Sequence, residues 1–158
     1  MGRSFLSIEL AMPKSTTNTQ SARTQRERYA RLPLVYACSG CSSAAQLANQ
    51  MALRLDHAEL AEMSCIAGVG AGVKPLARTA RSGRPILALD GCPLHCVRLA
   101  LDQQGVTPAV HVDLSNHGVH KDLHRLPDAQ ESEKAWSNVV LPALRAVSSA
   151  SSEPQPYK

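Results

Sequence analysis

Five cysteines are the residues of this 158-residue chain whose type and spacing could support chemistry. Four of them form two close pairs: Cys38 and Cys41 in CSGC, and Cys92 and Cys96 in CPLHC. The fifth, Cys65, lies between the two pairs in the sequence. In a reducing compartment, cysteines at such short spacings usually bind a metal ion or take part in thiol–disulfide exchange. The spacing therefore predicts either a metal site or a redox site.

Alternating strand and helix patterns predict how these cysteines are positioned. Four apolar runs are strand candidates: LPLVYAC, residues 61–66, RPILALDGC and TPAVHVDLS. Helical repeats follow them in SSAAQLANQMALRLDH, GVKPLARTARSG, PLHCVRLALDQQG and SEKAWSNVVLPALRAVS. This order is typical of α/β proteins. We predict an open, mostly parallel sheet of about four strands with helices on both faces, a three-layer fold of the flavodoxin-like or Rossmann-like type.

Local signals predict the helix boundaries. Ser42 or Ser43 is expected to cap the first of these helices. Pro75 lies near the start of the second, and Pro93 is expected at the first position of the third, where the missing N–H has no cost. The last helix must tolerate Pro142 or break there, because proline cannot donate a backbone hydrogen bond.

Every cysteine then falls at the same edge of the predicted sheet, where the carboxyl ends of parallel strands bind ligands. Cys38, Cys65 and Cys92 end the first three strands. Cys41 lies in the turn after the first strand, and Cys96 lies one turn into the helix that Cys92 would cap. Four thiolates satisfy a tetrahedral zinc ion, and helix N-termini stabilise thiolates. We predict one Zn²⁺ ion with these ligands: Cys38, Cys41, Cys92 and Cys96.

Neighbouring residues are expected to support this site. Gly40 and Gly91 would let the backbone pass close to the metal. His95 is either a further ligand or a group that tunes a neighbouring sulfur. Cys65 is a fifth ligand, a resolving thiol or a buried bystander. The side chains expected to hold the loops through hydrogen bonds are Asp90, Ser39, Ser42 and His95.

Three blocks of the sequence resemble a known bacterial family. CSGCSSAAQLANQMALRLD, EMSCIAGVGAGVKPL and RPILALDGCPLHC are similar to the zinc-binding protein family named for its Asp-Gly-Cys (DGC) motif, here residues 90–92. The resemblance covers roughly residues 33–125. It implies no established catalytic activity. It implies a chelating cysteine cluster on Cys38, Cys41, Cys92 and Cys96, with Cys65 beside them.

A second, more distant likeness points to electron transfer. CSGC and GCP are similar to motifs by which the small subunits of nickel–iron hydrogenases hold a four-iron cluster at the edge of a flavodoxin-like domain. A position like Cys65 lies between those motifs. Four thiolates also ligate an iron–sulfur cluster, so the spacing leaves a 4Fe-4S cluster open. A thiol–disulfide protein with Cys65 as the resolving cysteine is a third interpretation.

Two further stretches carry weaker signals. GVGAG, residues 68–72, is expected to form a tight turn or to cradle an anion, and it lacks the dinucleotide-binding spacing. His111, His117, His120 and His124 are dense enough to bind a transition metal, although an exposed polar loop is the commoner explanation. No Ser-His-Asp arrangement, paired catalytic carboxylates or P-loop is identifiable, so we expect no catalytic residues.

Charge and composition restrict the remaining classes of function. Residues 1–32 carry six Lys or Arg and two acidic residues, whereas residues 33–158 carry eleven of each. A balanced domain lacks the basic surface that nucleic-acid binding needs. No apolar run approaches the roughly 20 residues of a membrane span. We expect a cytoplasmic protein, away from the membrane, with a disordered basic leader (1–32), a cysteine-rich domain (33–148) and a disordered tail (149–158).

These features predict a metal-binding protein without turnover of its own. A zinc ion closed by four sulfurs has no open position for a substrate, so its role would be structural, carrier or regulatory. The alternative is an oxidoreductase or redox protein that uses the same cysteines for iron–sulfur electron transfer or thiol–disulfide exchange. The sequence identifies neither a protein partner nor an oligomeric state.

Overall fold

The computed structural model describes residues 17–150, which form four strands and seven α-helices. The strands are β1 (Leu34–Ala37), β2 (Glu62–Met63), β3 (Ile86–Asp90) and β4 (Val110–Asp113). The helices are α1 (Thr17–Tyr29), α2 (Ser43–His57), α3 (Ile66–Gly70), α4 (Lys74–Ala80), α5 (Cys96–Asp102), α6 (Ala129–Ala135) and α7 (Leu141–Ala150). The sheet has the order β2-β1-β3-β4, and each neighbouring pair is parallel.

Helices pack on the sheet to make a layered α/β fold. The central strands β1 and β3 are buried along their whole length, as expected where helices cover a parallel sheet. α2 packs on β1 and β3, α7 packs on β3 and β4, and α5 packs on β3 and against α3. The guanidinium of Arg54 on α2 lies 4.1 Å from the ring centre of Trp136, which ties α2 to the C-terminal helices. The predicted three-layer α/β fold is confirmed.

The second strand is shorter than predicted. Residues 61–66 were expected to be extended, but β2 covers only Glu62–Met63, and α3 begins at Ile66. One further ladder bond, from the Ser64 N–H to the Val35 carbonyl oxygen (3.2 Å), precedes the turn into α3. A short apolar run such as IAGVG fits a strand and a helix equally well, so its periodicity could not decide between them.

The third predicted helix begins three residues later than expected. Pro93 was placed at its first position and Cys92 at its cap, but α5 begins at Cys96 and His95 is the capping residue. The backbone of His95 is left-handed, with φ 49° and ψ 44°. The start is set by the Asp90 carboxylate, which accepts hydrogen bonds from backbone N–H groups in the first turn of α5. Such a cap from the preceding strand leaves no local sequence signal.

The C-terminal helix tolerates its proline. Between α6 and α7 the chain forms one π-helical segment, Trp136–Val140, and the Leu141 N–H donates to the Trp136 carbonyl oxygen. Pro142 follows directly. A proline inside an α-helix collides with the carbonyl group four residues earlier, and a wider π turn is a common way to accommodate such an irregularity.

α1 lies within the range predicted to be a disordered leader. The Tyr29 hydroxyl at its end donates to the Asp56 carbonyl oxygen (3.0 Å), and Arg84 donates to the carbonyl oxygens of Tyr29 and Leu32. Residues 1–16 and 151–158, which hold much of the predicted leader and tail, lie outside the described residues, and the domain boundaries stay predictions. Within residues 17–150, no helix is both long and apolar enough to cross a membrane.

Candidate metal centre at the carboxyl edge of the sheet

Two cysteine turns follow the central strands: residues 38–42 after β1 (the first turn) and residues 91–96, which lead from β3 into α5 (the second turn). They meet at Cys38 and Gly91. The Gly91 N–H donates to Sγ of Cys38 at 3.1 Å, and Cys38 is only 7% exposed. Gly91 lies directly against the first turn of α2, where a Cβ would come within 2.8 Å of the Ala45 nitrogen and closer still to the Ala44 carbonyl group. The glycine of the Asp-Gly-Cys motif is therefore required by this close approach, not by a positive φ. Gly40, the other glycine expected beside the metal, has only the Ala45 Cβ as a near neighbour, at 3.8 Å.

Burial raises the pKa of the Cys38 thiol to about 11. The Gly91 N–H opposes this rise, because a hydrogen bond to sulfur favours the thiolate. The negative charges of Asp90, Cys96 and Cys92 add to the rise, in that order after burial. These charges lie in or next to the second turn, which contacts Cys38 through Gly91. That the cysteines share one site stays a prediction.

The first turn is held by backbone hydrogen bonds to a later loop. Residues 120–124, here called the strap, run antiparallel to residues 41–43. The His124 N–H donates to the Cys41 carbonyl oxygen, and the Ser43 N–H donates to the Asp122 carbonyl oxygen, both at 2.9 Å. The Ser43 hydroxyl donates to the His120 carbonyl oxygen and accepts from the Asp122 N–H, each at 3.0 Å. Cys41 itself remains exposed.

The second turn is held by the Asp90 carboxylate. Asp90 ends β3 and is 1% exposed. Its Oδ1 accepts from the Val97 N–H at 2.9 Å, and its Oδ2 accepts from the Arg98 N–H at 3.2 Å. Nε2 of His111, on β4, lies 3.0 Å from the same Oδ2. The aspartate of the motif therefore caps α5 and links it to β4, which matches its expected role in holding the loop.

A second aspartate–histidine pair lies beside the first. Nε2 of His95 lies 2.9 Å from Oδ2 of Asp113, and the His95 and His111 rings meet edge to face with centres 4.9 Å apart. Burial alone would raise the pKa of Asp113, but hydrogen bonds from Ser115 and His95 outweigh it and hold that pKa below its usual value. Asp113 is 6% exposed, so the pair has a buried, ionised carboxylate and a partly exposed imidazole.

His111 and Asp113 were missed as partners in this site by sequence reasoning. The sequence signal that could have found them is the alternation of side chains along a strand. In HVD on β4, the first and third residues lie on the same face. The register pairs Asp113 with Asp90 at the ends of β4 and β3. His111 was grouped with the loop histidines instead, although it lies in a strand, whereas His117, His120 and His124 are exposed.

The other candidate side chains are exposed or form hydrogen bonds with other residues. Cys65 is exposed, so it is not a buried bystander, and its charge adds to the rise that burial causes in the pKa of Tyr36. Ser39 is exposed. Ser42 is the N-cap of α2, as predicted, and accepts from the Ala45 N–H at 3.3 Å. In the GVGAG stretch, residues 68–70 belong to α3, so only its end forms a turn.

The donor types at this edge suit zinc, but their atoms are not assembled into a site. Thiolates and imidazoles are the usual ligands of zinc in proteins. All five cysteines are free thiols. Within residues 17–150, no three Cys, His, Asp or Glu side chains are grouped as a metal ion would require. A metal ion would therefore have to draw the side chains of the two turns together.

The parallel sheet, the two cysteine turns and the contact of Gly91 with Cys38 describe an α/β protein whose cysteines lie at the carboxyl edge of its sheet. The DGC domain model matches residues 34–139, and the chain belongs to the DGC domain family. Among curated proteins, the chain is 64% identical over 105 residues to the "Anaerobic and virulence modulator AnvM" of Pseudomonas aeruginosa. That match covers 66% of this chain and 80% of the relative. No solved structure gives a significant match.

Proposed function

We propose that the protein binds one zinc ion through cysteine thiolates at the carboxyl edge of its sheet. The sulfurs of Cys38, Cys92 and Cys96 form the centre of this site, and the fourth ligand, for which the sequence pattern predicts Cys41, comes from one of the same two turns. The observation that carries the proposal is the contact between Gly91 and Cys38, because it brings two separate cysteine turns into one environment. The role that fits this chemistry is regulatory, structural or carrier, without turnover.

The electrostatics of Cys38 set a condition on the proposed site. Burial and neighbouring negative charges raise the pKa of this thiol to about 11, so zinc has to displace its proton and its affinity should rise with pH. Cys96 is exposed and Cys92 is half-buried, so both side chains have room to change rotamer when a metal ion arrives.

The relative supports a regulatory role over a catalytic one. That protein is named an anaerobic and virulence modulator. A zinc–thiolate site suits regulation, because thiolates released from the metal are open to oxidation. We therefore favour a regulatory module whose state depends on metal and oxygen supply.

Metal analysis with an absorption spectrum tests the proposal directly. The protein is purified without air and without a metal-affinity tag, and zinc, iron and labile sulfide are measured. We expect about one zinc per chain and no absorption band near 400 nm. A Cys38→Ser variant should lose the zinc, and a His117→Gln variant, altered at an exposed histidine outside the two turns, should keep it.

Redox chemistry is the second candidate, and exposed thiols favour it. Cys41, Cys65 and Cys96 are all exposed, as thiols that exchange with a partner must be. Iron with labile sulfide in the same analysis would assign electron transfer. A metal-free protein whose thiols form a disulfide reversibly would assign thiol–disulfide exchange and would contradict the zinc proposal.

A further inference from the structure

The second turn contains an imidazole that the thiolate site does not use. His95 lies between Cys92 and Cys96 in the sequence and is partly exposed. We propose that His95 binds the zinc ion through Nδ1, so that the site has three sulfur ligands and one nitrogen ligand. This inference rests on the proposed zinc site and names its fourth ligand. The ligand set is Cys38, Cys92, His95 and Cys96.

The hydrogen bond to Asp113 leaves Nδ1 as the free nitrogen of the ring. Nε2 of His95 lies 2.9 Å from Oδ2 of Asp113. An ionised carboxylate can only accept, so Nε2 carries the proton and Nδ1 of the neutral ring keeps its lone pair. Histidines that bind metals almost always donate their other N–H to a carboxylate, a carbonyl or water, which fixes the ring and raises its basicity. His95 has this arrangement already.

Asp113 is itself held in place, as such a supporting carboxylate should be. Its Oδ1 accepts from the Ser115 N–H at 3.0 Å and from the Ser115 hydroxyl at 2.6 Å. Its other oxygen is therefore left for His95. Because Asp113 is buried and ends β4, the imidazole is anchored to the sheet and not only to its own turn.

The backbone keeps the three candidate ligands of the second turn close together. The His95 N–H bonds to the Cys92 carbonyl oxygen at 3.2 Å, and α5 begins at Cys96 directly after it. His95 adopts the left-handed conformation, with φ 49°, which is unfavourable for residues other than glycine. Such a conformation persists only where the surroundings determine it, and it recurs at ligand sites.

Cys41 belongs to a different local structure. It is exposed, and its carbonyl oxygen accepts from His124 in the strap. Cys38 instead contacts the second turn directly, because its Sγ accepts from the Gly91 N–H at 3.1 Å. In the proposed set the second turn supplies three ligands and the first turn supplies one, where the sequence pattern alone suggested two from each.

X-ray absorption at the zinc edge, measured on the full-length zinc protein, tests the ligand set without any substitution. Three sulfur scatterers and one nitrogen scatterer are expected. Four sulfur scatterers would overturn the role of His95 and leave the zinc–thiolate site standing. A wild-type protein that binds no zinc would overturn the zinc site itself, and the role of His95 with it.

Variants compared by zinc competition with a chromophoric chelator give the second readout. His95→Asn removes the imidazole, and asparagine tolerates the left-handed backbone, so the turn keeps its shape. Asp113→Asn should weaken zinc binding about 10- to 100-fold, as loss of a supporting carboxylate does, and His95→Asn should weaken it further. Cys41→Ser should bind within a few-fold of wild type, and so should His117→Asn. Loss of binding in Cys41→Ser with retention in His95→Asn would contradict the inference.

Discussion

The two cysteine turns touch each other but are held by different kinds of interaction. Backbone hydrogen bonds from the strap are the main support of the first turn, with the Ser43 hydroxyl and the Gln46 side chain, which donates to the Gly40 carbonyl oxygen at 2.6 Å, beside them; its second cysteine remains exposed. Side chains hold the second turn: Asp90 caps α5 and contacts His111, and Asp113 holds His95. A backbone hydrogen bond survives most substitutions because it uses no side-chain atom, whereas a hydrogen bond to a buried carboxylate is lost when that residue is replaced. The second turn should therefore be the more sensitive of the two to substitution.

The glycine at which the turns meet should give the largest effect. A Cβ at Gly91 would collide with the backbone of Ala44 and Ala45, which cannot move aside as a flexible side chain can. Gly91→Ala should lower the free energy of unfolding by about 3 kcal/mol, measured by urea denaturation of the metal-free protein. Gly40→Ala is the matched control and should change it by less than about 0.5 kcal/mol, since that site has space. Equal effects would show that the turns do not depend on this contact.

Loss of the buried Asp90 cap should have the second-largest effect on stability. Asp90→Ala leaves the buried Val97 N–H without its acceptor and removes the acceptor of the partly buried Arg98 N–H, and should cost about 2 to 3 kcal/mol. Asp128 makes the same kind of cap at α6, with its carboxylate 2.8 Å from the Gln130 nitrogen, but it is exposed. Asp128→Ala should cost about 1 kcal/mol. If both variants unfold at the same urea concentration, burial of the second turn is not what makes Asp90 important.

The difference between the turns also explains what the sequence could predict. The start of α2 was predicted from Ser42 or Ser43, and Ser42 is the cap; such a cap is local to the residues it serves. The start of α5 was missed, because Asp90 reaches seven residues along the chain to Val97. The shared edge of the cysteines followed from strand order alone, since parallel strands end together.

The partners within the site depended on contacts that sequence periodicity does not encode. Asp113 and His95 lie 18 residues apart and meet only because β3 and β4 pair in one particular register. Likewise, the pattern could not show that the Gly91 N–H donates to Sγ of Cys38, a contact between residues 53 positions apart.

Thiol labelling compares the two turns cysteine by cysteine. In metal-free protein at pH 8, only about one Cys38 thiol in a thousand is ionised if its pKa is about 11, against about a quarter for an ordinary cysteine. Alkylation followed by mass spectrometry should therefore show Cys38 reacting at least about 100-fold more slowly than exposed Cys41. The rate at Cys38 should rise as the pH approaches 11, because the thiolate fraction rises. Fast labelling of Cys38 at pH 8 would mean that its turn opens.

Loss of a side-chain hydrogen bond to the strap should have the smallest effect on the free energy of unfolding. Ser43→Ala removes the hydroxyl that bonds to His120 and Asp122, while the backbone bond from the Ser43 N–H remains. The cost should be about 1 kcal/mol in urea denaturation, and exposed Ser39→Ala should have almost none. Because α2 and Cys38 are held independently of that hydroxyl, the slow labelling of Cys38 should survive Ser43→Ala. If Cys38 becomes reactive instead, the strap controls access to the buried thiol, and the first turn is not the tolerant one.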